Sequence, residues 1–132
     1  MTAPIVCIEF DWPPRALSPN GGQGKAWYVK ADATAKYSSD CTYIARAARN
    51  ALRQAGVKLP LEARVSMVVT FVLRQFGRRD LDNLIAQLKP AQDSLRAAGI
   101  LTDDSMKYLR PVTYDAEAGP RPLVRVELYE VV

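Results

Sequence analysis

The chain has 132 residues, a formal net charge of +4 at pH 7 and no histidine. This length predicts one domain, residues 1–132, with enough chain to bury a core. Without histidine, the usual catalytic triads and Cys/His zinc sites are excluded, so carboxylates, lysines and metal ions remain as means of catalysis. No apolar run approaches the ~18 residues of a membrane span and no export signal opens the chain, so we expect a cytoplasmic protein without membrane contact.

The first predicted elements are a strand and an irregular loop. Residues 5–10 form a short apolar run that a Trp-Pro-Pro sequence at residues 12–14 ends, which is typical of a buried strand. From residue 15 to residue 25, several glycines and a proline predict a loop.

The cysteines, Cys7 and Cys41, lie far apart in the chain and are predicted to be buried core thiols rather than a disulfide.

This loop contains a partial phosphate-binding motif and two candidate DNA contacts. The pair Gly24-Lys25 suggests a P-loop, but that motif needs glycine at position 19 and serine or threonine at position 26, where Pro19 and Ala26 stand. No nucleotide cofactor is therefore expected. Arg15 and Lys25 are candidates for gripping nucleic acid, and an ordinary surface loop is the alternative interpretation.

A long helix is predicted next, over residues 31–55, with Gly56 as its stop. Its apolar face repeats at three- and four-residue steps and consists of Tyr37, Cys41, Ile44, Ala48, Leu52 and Ala55. Arg46, Arg49 and Arg53 form a stripe on the opposite face, which either contacts a phosphate backbone or is an ordinary solvated face. The β-branched run Val65–Leu73 then predicts a central strand.

Most of the candidate chemistry lies in residues 78–105, which read RRDLDNLIAQLKPAQDSLRAAGILTDDS. Asp80 and Asp82 stand where the strand gives way to a helix, so Asp80 is placed to cap that helix and Asp82 to interact with its dipole. A second acidic pair, Asp103 and Asp104, follows the helix. A D-x-D pair with a further D-D about twenty residues on indicates more than capping, and favours a divalent metal site that faces phosphates.

The spacing of these carboxylates limits how they can meet. Pro90 predicts a kink or a restart of the helix. A straight helix from Asp82 to Ala98 would cover about 24 Å, and the return from there to Asp104 spans at most about 20 Å. Carboxylates that share one magnesium ion must nearly touch. Either the kink and Gly99 fold the chain back along the helix, or a second subunit completes the site, and the folded-back path within one chain is the preferred interpretation.

Two strands, residues 106–114 and 123–131, complete the chain, with a turn at Gly119-Pro120 between them. The second strand alternates apolar and polar residues, as a half-buried antiparallel strand does. Together the elements predict an α+β fold, in which a single domain contains a mixed β-sheet covered by two helices.

The central segment resembles the signature of RusA-type Holliday junction resolvases. The resemblance rests on RRDLDNL, a following lysine and D-S-L-x-x-A-G-I-x-x-D-D-S, and it extends to the early Trp-Pro-Pro and the chain length, so it spans most of the chain. It implies a RusA-like fold and a homodimer that cuts four-way DNA junctions with magnesium or manganese in bacteria and their prophages. By similarity, Asp80, Asp82 and Asp104 are the essential acidic residues. Lys89 matches the family's active lysine, although it lies further from Asn83 than in members with a shorter helix.

The chemistry of these residues agrees with a nuclease that uses a divalent metal. Asp80, Asp82 and Asp104 would hold Mg²⁺, with Asp103 as a further or outer ligand. Lys89 would stabilise charge on the reacting phosphate, and the alternative is a solvated lysine without a special role.

The arginines before the acidic pair, Arg78 and Arg79, would contact phosphate beside the scissile bond, or else simply balance the acidic cluster. Two other functional classes remain open. One is a metal-dependent nuclease that does not prefer junctions, and the other is a catalytically silent protein that binds branched DNA.

Overall fold

The computed structural model describes residues 3–18 and 27–131. The strands are β1 (Val6–Phe10), β2 (Val65–Leu73), β3 (Leu109–Ala118) and β4 (Leu123–Glu130), and the helices are α1 (Trp27–Gln54), α2 (Leu81–Gln87) and α3 (Lys89–Ala97). The strands form one sheet in the order β1-β4-β2-β3. β4 pairs antiparallel with β1 and β2, and β2 pairs parallel with β3, so the predicted α+β fold with a mixed sheet is confirmed.

The core lies between one face of the sheet and the helices. Along each strand, alternate side chains point to this face, because successive residues of a strand project to opposite sides. The buried strand side chains include Val6, Ile8, Phe10, Met67, Val69, Phe71, Val124, Val126 and Leu128. The helices cover them with Tyr37, Cys41 and Ala45 from α1 and with Leu84, Leu88, Ala91 and Leu95 from α2, α3 and the residue between them.

The two cysteines have different environments. Cys41 is buried on α1 as predicted, and burial raises the pKa of its thiol to about 12. The same prediction is wrong for Cys7, which is exposed. It stands between the buried residues Val6 and Ile8 and therefore points to the other face of the sheet. Partial burial there, followed by the negative charge of Glu127, raises the pKa of Cys7.

β3 and β4 follow one another in the chain but do not pair with each other. Both lie beside β2, so the turn between them crosses the C-terminal end of β2. The Gly119 N–H donates to the Leu73 carbonyl at 2.8 Å, and a side chain at position 119 would collide with Val72. β3 begins at Leu109 rather than at residue 106, because a turn closed by the Leu109 N–H on the Ser105 carbonyl precedes it.

The described part of α1 starts four residues before the predicted helix and ends where Gly56 stops it. Gly56 has a φ of +89°, and the next N–H, from Val57, donates to the Leu52 carbonyl at 2.9 Å, which closes the helix end. Part of the predicted loop before α1, residues 19–26 with the candidate Lys25, lies outside the described residues. Within the described ranges, no helix combines the length and the apolar character needed to cross a membrane.

Candidate functional site

The acidic pair occupies the start of α2. Gly77, with a φ of +60°, turns the chain after β2. Asp80 then has extended backbone angles and is the N-cap, because its Oδ1 accepts the N–H of Asp82 at 2.9 Å. Capping by Asp80 is therefore confirmed. Asp82 lies in the first turn of α2, where the helix dipole favours a negative charge, and both residues are exposed.

The predicted break in the helical segment is found at Leu88, between α2 and α3. The Leu88 N–H donates to the Ile85 carbonyl and the Ala91 N–H donates to the Leu88 carbonyl, so the hydrogen bonds here span three residues rather than four. Pro90 has no N–H to donate, which is why the α-helical pattern is interrupted at this point. Leu88 itself is fully buried, so the break is fixed by packing against the core.

After α3 the chain folds back, as the preferred interpretation of the sequence requires. Gly99 has a φ of +79°, and the N–H groups of Ile100 and Leu101 both donate to the Leu95 carbonyl. Ile100 and Leu101 are buried, which anchors the returning chain. As a result, Asp104 comes to lie beside the first turn of α3, with its Oδ2 at 3.6 Å from the Nζ of Lys89.

Lys89 links two acidic groups. Its Nζ lies 2.9 Å from Oδ1 of Asp93 and 3.6 Å from Oδ2 of Asp104. The hydrogen bond to Asp93 raises the pKa of Lys89, and the charges of Asp93 and Asp104 act in the same direction. The Lys89 side chain is exposed and stays cationic at neutral pH. It can therefore stabilise an anion electrostatically, but it cannot act as a general base.

Asp103 has a local partner. Its Oδ1 accepts the N–H of Asp104 at 2.8 Å, and this hydrogen bond lowers the pKa of Asp103. The carboxylate therefore helps to hold the turn that presents Asp104. Its proposed place as a further metal ligand stays a prediction.

The three carboxylates that the sequence groups together do not form a metal site within one chain. No set of three histidine, cysteine, aspartate or glutamate side chains in residues 3–18 and 27–131 is close enough to hold a metal ion. Asp80 and Asp82 are at the start of α2, whereas Asp104 contacts the side chain of Lys89, the first residue of α3. Ligands of one magnesium ion must each approach to about 2.1 Å. A magnesium ion shared by these three residues therefore stays a prediction.

A groove beside Asp80 brings three of the predicted DNA contacts together. Its volume is about 510 Å³, and its lining residues include Arg15, Arg78, Arg79, Trp12, Asn83, Leu84 and Gln87. The Arg79 guanidinium lies over the Trp12 ring, 5.6 Å from the ring centre. Positive charge therefore lies beside Asp80, and part of it comes from the 3-10 turn Arg15–Leu17.

The sequence did not single out Gln87 or Trp12 as groove residues. A signal for Gln87 is its position one turn after Leu84 on the apolar face of the helix, where a polar side chain needs a partner.

The three arginines of the stripe on α1 differ in their environments. Arg46 and Arg53 are exposed as predicted. Arg49 instead donates a hydrogen bond of 3.2 Å to the carbonyl of Ala98 and two more to the side chain of Asn50. A cation at the C-terminal end of α3 is favoured by unpaired carbonyls and by the helix dipole. Arg49 therefore has a contact that holds α1 to α3, and its predicted contact with phosphate stays a prediction.

Comparison of the chain with protein-family models finds no match, and comparison with curated proteins finds none either. The resemblance to RusA-type resolvases therefore stays a prediction from the motifs in residues 78–105.

Proposed function

We propose that this chain is a magnesium-dependent, structure-selective endodeoxyribonuclease that resolves four-way DNA junctions by paired, symmetrical hydrolysis of phosphodiester bonds. The observation that carries the proposal is the arrangement of residues 78–105. An exposed acidic pair stands at the start of α2, arginines line the groove beside it, and the chain returns so that Asp104 meets Lys89. Acidic groups bordered by fixed cations suit a phosphodiester backbone whose phosphates are bound by arginine.

The metal requires a second subunit in this proposal. Because no group of three possible metal ligands is found within the described ranges of one chain, we assign the third carboxylate of each site to Asp104 of the partner subunit. A dimer with twofold symmetry presents two equivalent sites, which matches the pseudo-twofold symmetry of a four-way junction cut on two strands. Magnesium is the proposed ion, with manganese as a substitute, and the proposed location is the cytoplasm of a bacterial host.

Each of the chain's own groups has a distinct task. Arg78, Arg79 and Arg15 bind the phosphates of the strand that enters the groove, because guanidinium groups donate paired hydrogen bonds to phosphate oxygens. Lys89 keeps its charge at neutral pH and stabilises negative charge on the reacting phosphate. Exposed Arg46 extends the basic surface along α1.

The test is incubation of the purified protein with a synthetic four-way junction in magnesium, beside fork, flap and duplex substrates. Wild-type protein is expected to produce symmetrical paired nicks in the junction. Asp82→Asn should lower the nicking rate at least about 100-fold, since even outer-shell partners of metal ligands contribute that much, while junction binding persists.

The matched control is Asp32→Asn, which makes the same charge change at an exposed position on α1 and should retain wild-type nicking. Full nicking in the presence of a chelator would contradict the metal requirement. Equal cutting of all substrates would favour a general nuclease, and tight junction binding without any nicking would favour a silent binding protein.

A further inference from the structure

The groove beside Asp80 has a side-chain amide without a protein partner at its floor. Gln87 is 7% exposed and lies on the buried side of α2, one turn after Leu84. Within the described parts of the chain, its side-chain amide forms no hydrogen bond. Among the described residues, the buried side-chain atoms without a partner do not include those of the Gln87 amide, so this amide is open to water in the groove. An amide whose donor and acceptor are both uncommitted to the protein can exchange that water for a ligand with a complementary polar edge.

The walls of the groove indicate what kind of ligand this is. One wall contains the Trp12 ring with the Arg79 guanidinium over it, and Leu84 adds apolar surface. Aromatic rings and guanidinium planes are the groups on which unpaired bases stack. The volume of about 510 Å³ falls within the range of small-ligand pockets.

The polar groups fit a nucleotide in particular. A carboxamide presents one donor and one acceptor side by side, which complements the adjacent acceptor and donor on the edge of a nucleobase. Arg15 and Arg78 line the same groove and supply positive charge for the phosphates on either side of such a base.

We infer that this groove holds one unpaired nucleobase of the bound DNA strand, with the edge of the base on the Gln87 amide. The inference rests on the proposed function for the presence of DNA, and it adds a reason for structure selectivity. Taking a base out of a duplex costs free energy for unpairing and unstacking, and this cost is smallest where pairing is already interrupted. The groove therefore favours the crossover of a junction over continuous duplex.

The first experiment places the fluorescent base 2-aminopurine at successive positions around the crossover of a four-way junction. 2-Aminopurine carries an adjacent acceptor and donor, and its fluorescence changes when its stacking changes. With wild-type protein, one position next to the crossover should change in fluorescence by at least twofold on binding. Gln87→Met, which keeps the length of the side chain and removes the amide, should abolish this change. Gln54→Met, which removes an exposed amide at the end of α1, should leave it intact.

The second experiment needs only wild-type protein, so its result can be interpreted even if Gln87→Met folds poorly. An abasic nucleotide at the responding position should weaken junction binding about tenfold, the effect of removing one stacked base. An abasic nucleotide two positions further away should leave the affinity unchanged. Binding that is insensitive to abasic substitution at every position overturns the inference, as does a fluorescence change that persists in Gln87→Met.

Nicking of the unlabelled junction is measured in parallel and separates the two proposals. A fluorescence change that depends on Gln87, without nicking, supports the base-binding groove and overturns the nuclease. Nicking without any fluorescence change that depends on Gln87 supports the nuclease and overturns the groove.

Discussion

Asp80 combines a structural role with the proposed chemical one. Its Oδ1 accepts the Asp82 N–H and so satisfies one of the unpaired N–H groups at the start of α2, while the carboxylate remains exposed. Asparagine is as good an N-cap as aspartate, but it has no negative charge. Substitution by asparagine or by alanine therefore separates the two roles.

We expect Asp80→Ala to lower the free energy of unfolding by about 1 kcal/mol, the usual contribution of an N-cap. Asp80→Asn should change it by less than about 0.5 kcal/mol, because the cap is retained. Both variants should lose junction nicking, since both remove a proposed metal ligand. Urea denaturation and the junction assay measure the two effects. Equal destabilisation by the two substitutions would show that the cap contributes nothing, and nicking by Asp80→Asn would remove Asp80 from the site.

The two thiols are predicted to differ in reactivity. At pH 7 a maleimide should label Cys7 and leave Cys41 unmodified in the folded protein, because Cys7 is exposed and Cys41 is buried. The pKa of each thiol is raised, so the reactive thiolate is scarce at neutral pH, and the labelling rate of Cys7 should keep rising above about pH 8.5, the pKa of a free thiol. Peptide mass spectrometry measures the labelling. Cys7→Ser should stay unlabelled until urea unfolds it, and labelling of Cys41 in the folded state would contradict its burial.

The broken helical segment is the element that arranges the candidate site. Pro90 and the turn at Leu88 separate α2 from α3, so the acidic pair at the start of α2 and Lys89 belong to two short helices. Gly99 then reverses the chain and brings Asp104 to Lys89. Because each step depends on local backbone chemistry, one substitution in the turn should disturb the site.

Gly56 and Gly99 form a matched pair for testing this. Both have positive φ, +89° and +79°, and at both positions an added methyl group meets open space. Alanine at either position should therefore cost about 1 kcal/mol of stability through backbone strain alone. Only Gly99→Ala should also lower junction nicking, because only Gly99 positions Asp104. Thermal unfolding and the nicking assay test this. Equal loss of nicking in both variants would show that the loss results from lower stability and not from a displaced Asp104.

In the molecule as a whole, the candidate acidic residues come from two places, the start of α2 and the chain that returns after α3. No metal-binding group of three acidic, cysteine or histidine side chains forms within the described ranges of a single chain. A twofold dimer is the simplest assembly in which the Asp80 and Asp82 pair of one subunit meets Asp104 of the partner subunit. In this assembly, two inactive variants with mutations on opposite sides of the site should restore activity when mixed, whereas a site inside one chain should not.

Mixing Asp82→Asn with Asp104→Asn protein tests the shared site. Each variant alone should be inactive. If sites are shared, mixed dimers contain one site with both mutations and one site with neither, so about half of the dimers regain one working site. The mixture should therefore cut junctions again, but with single rather than paired nicks. Sedimentation should give the mass of two chains, and a mixture that stays inactive would place each site within one chain.

Local chemistry made several parts of this protein predictable from the sequence alone. The limits of β2, the interruption at Pro90, the helix end at Gly56 and the capping by Asp80 follow from residue preferences over a few positions, and the structure has all of them. The return of the chain at Gly99 was also predictable, because glycine readily adopts a positive φ.

Only the tertiary structure decided how distant segments meet. It places β2 between β3 and β4, turns Cys7 outward, engages Arg49 with Ala98 and buries most of Gln87. It also places Asp104 beside Lys89. These outcomes depend on contacts between residues far apart in the chain, whose free energies no local pattern of apolar and polar residues specifies.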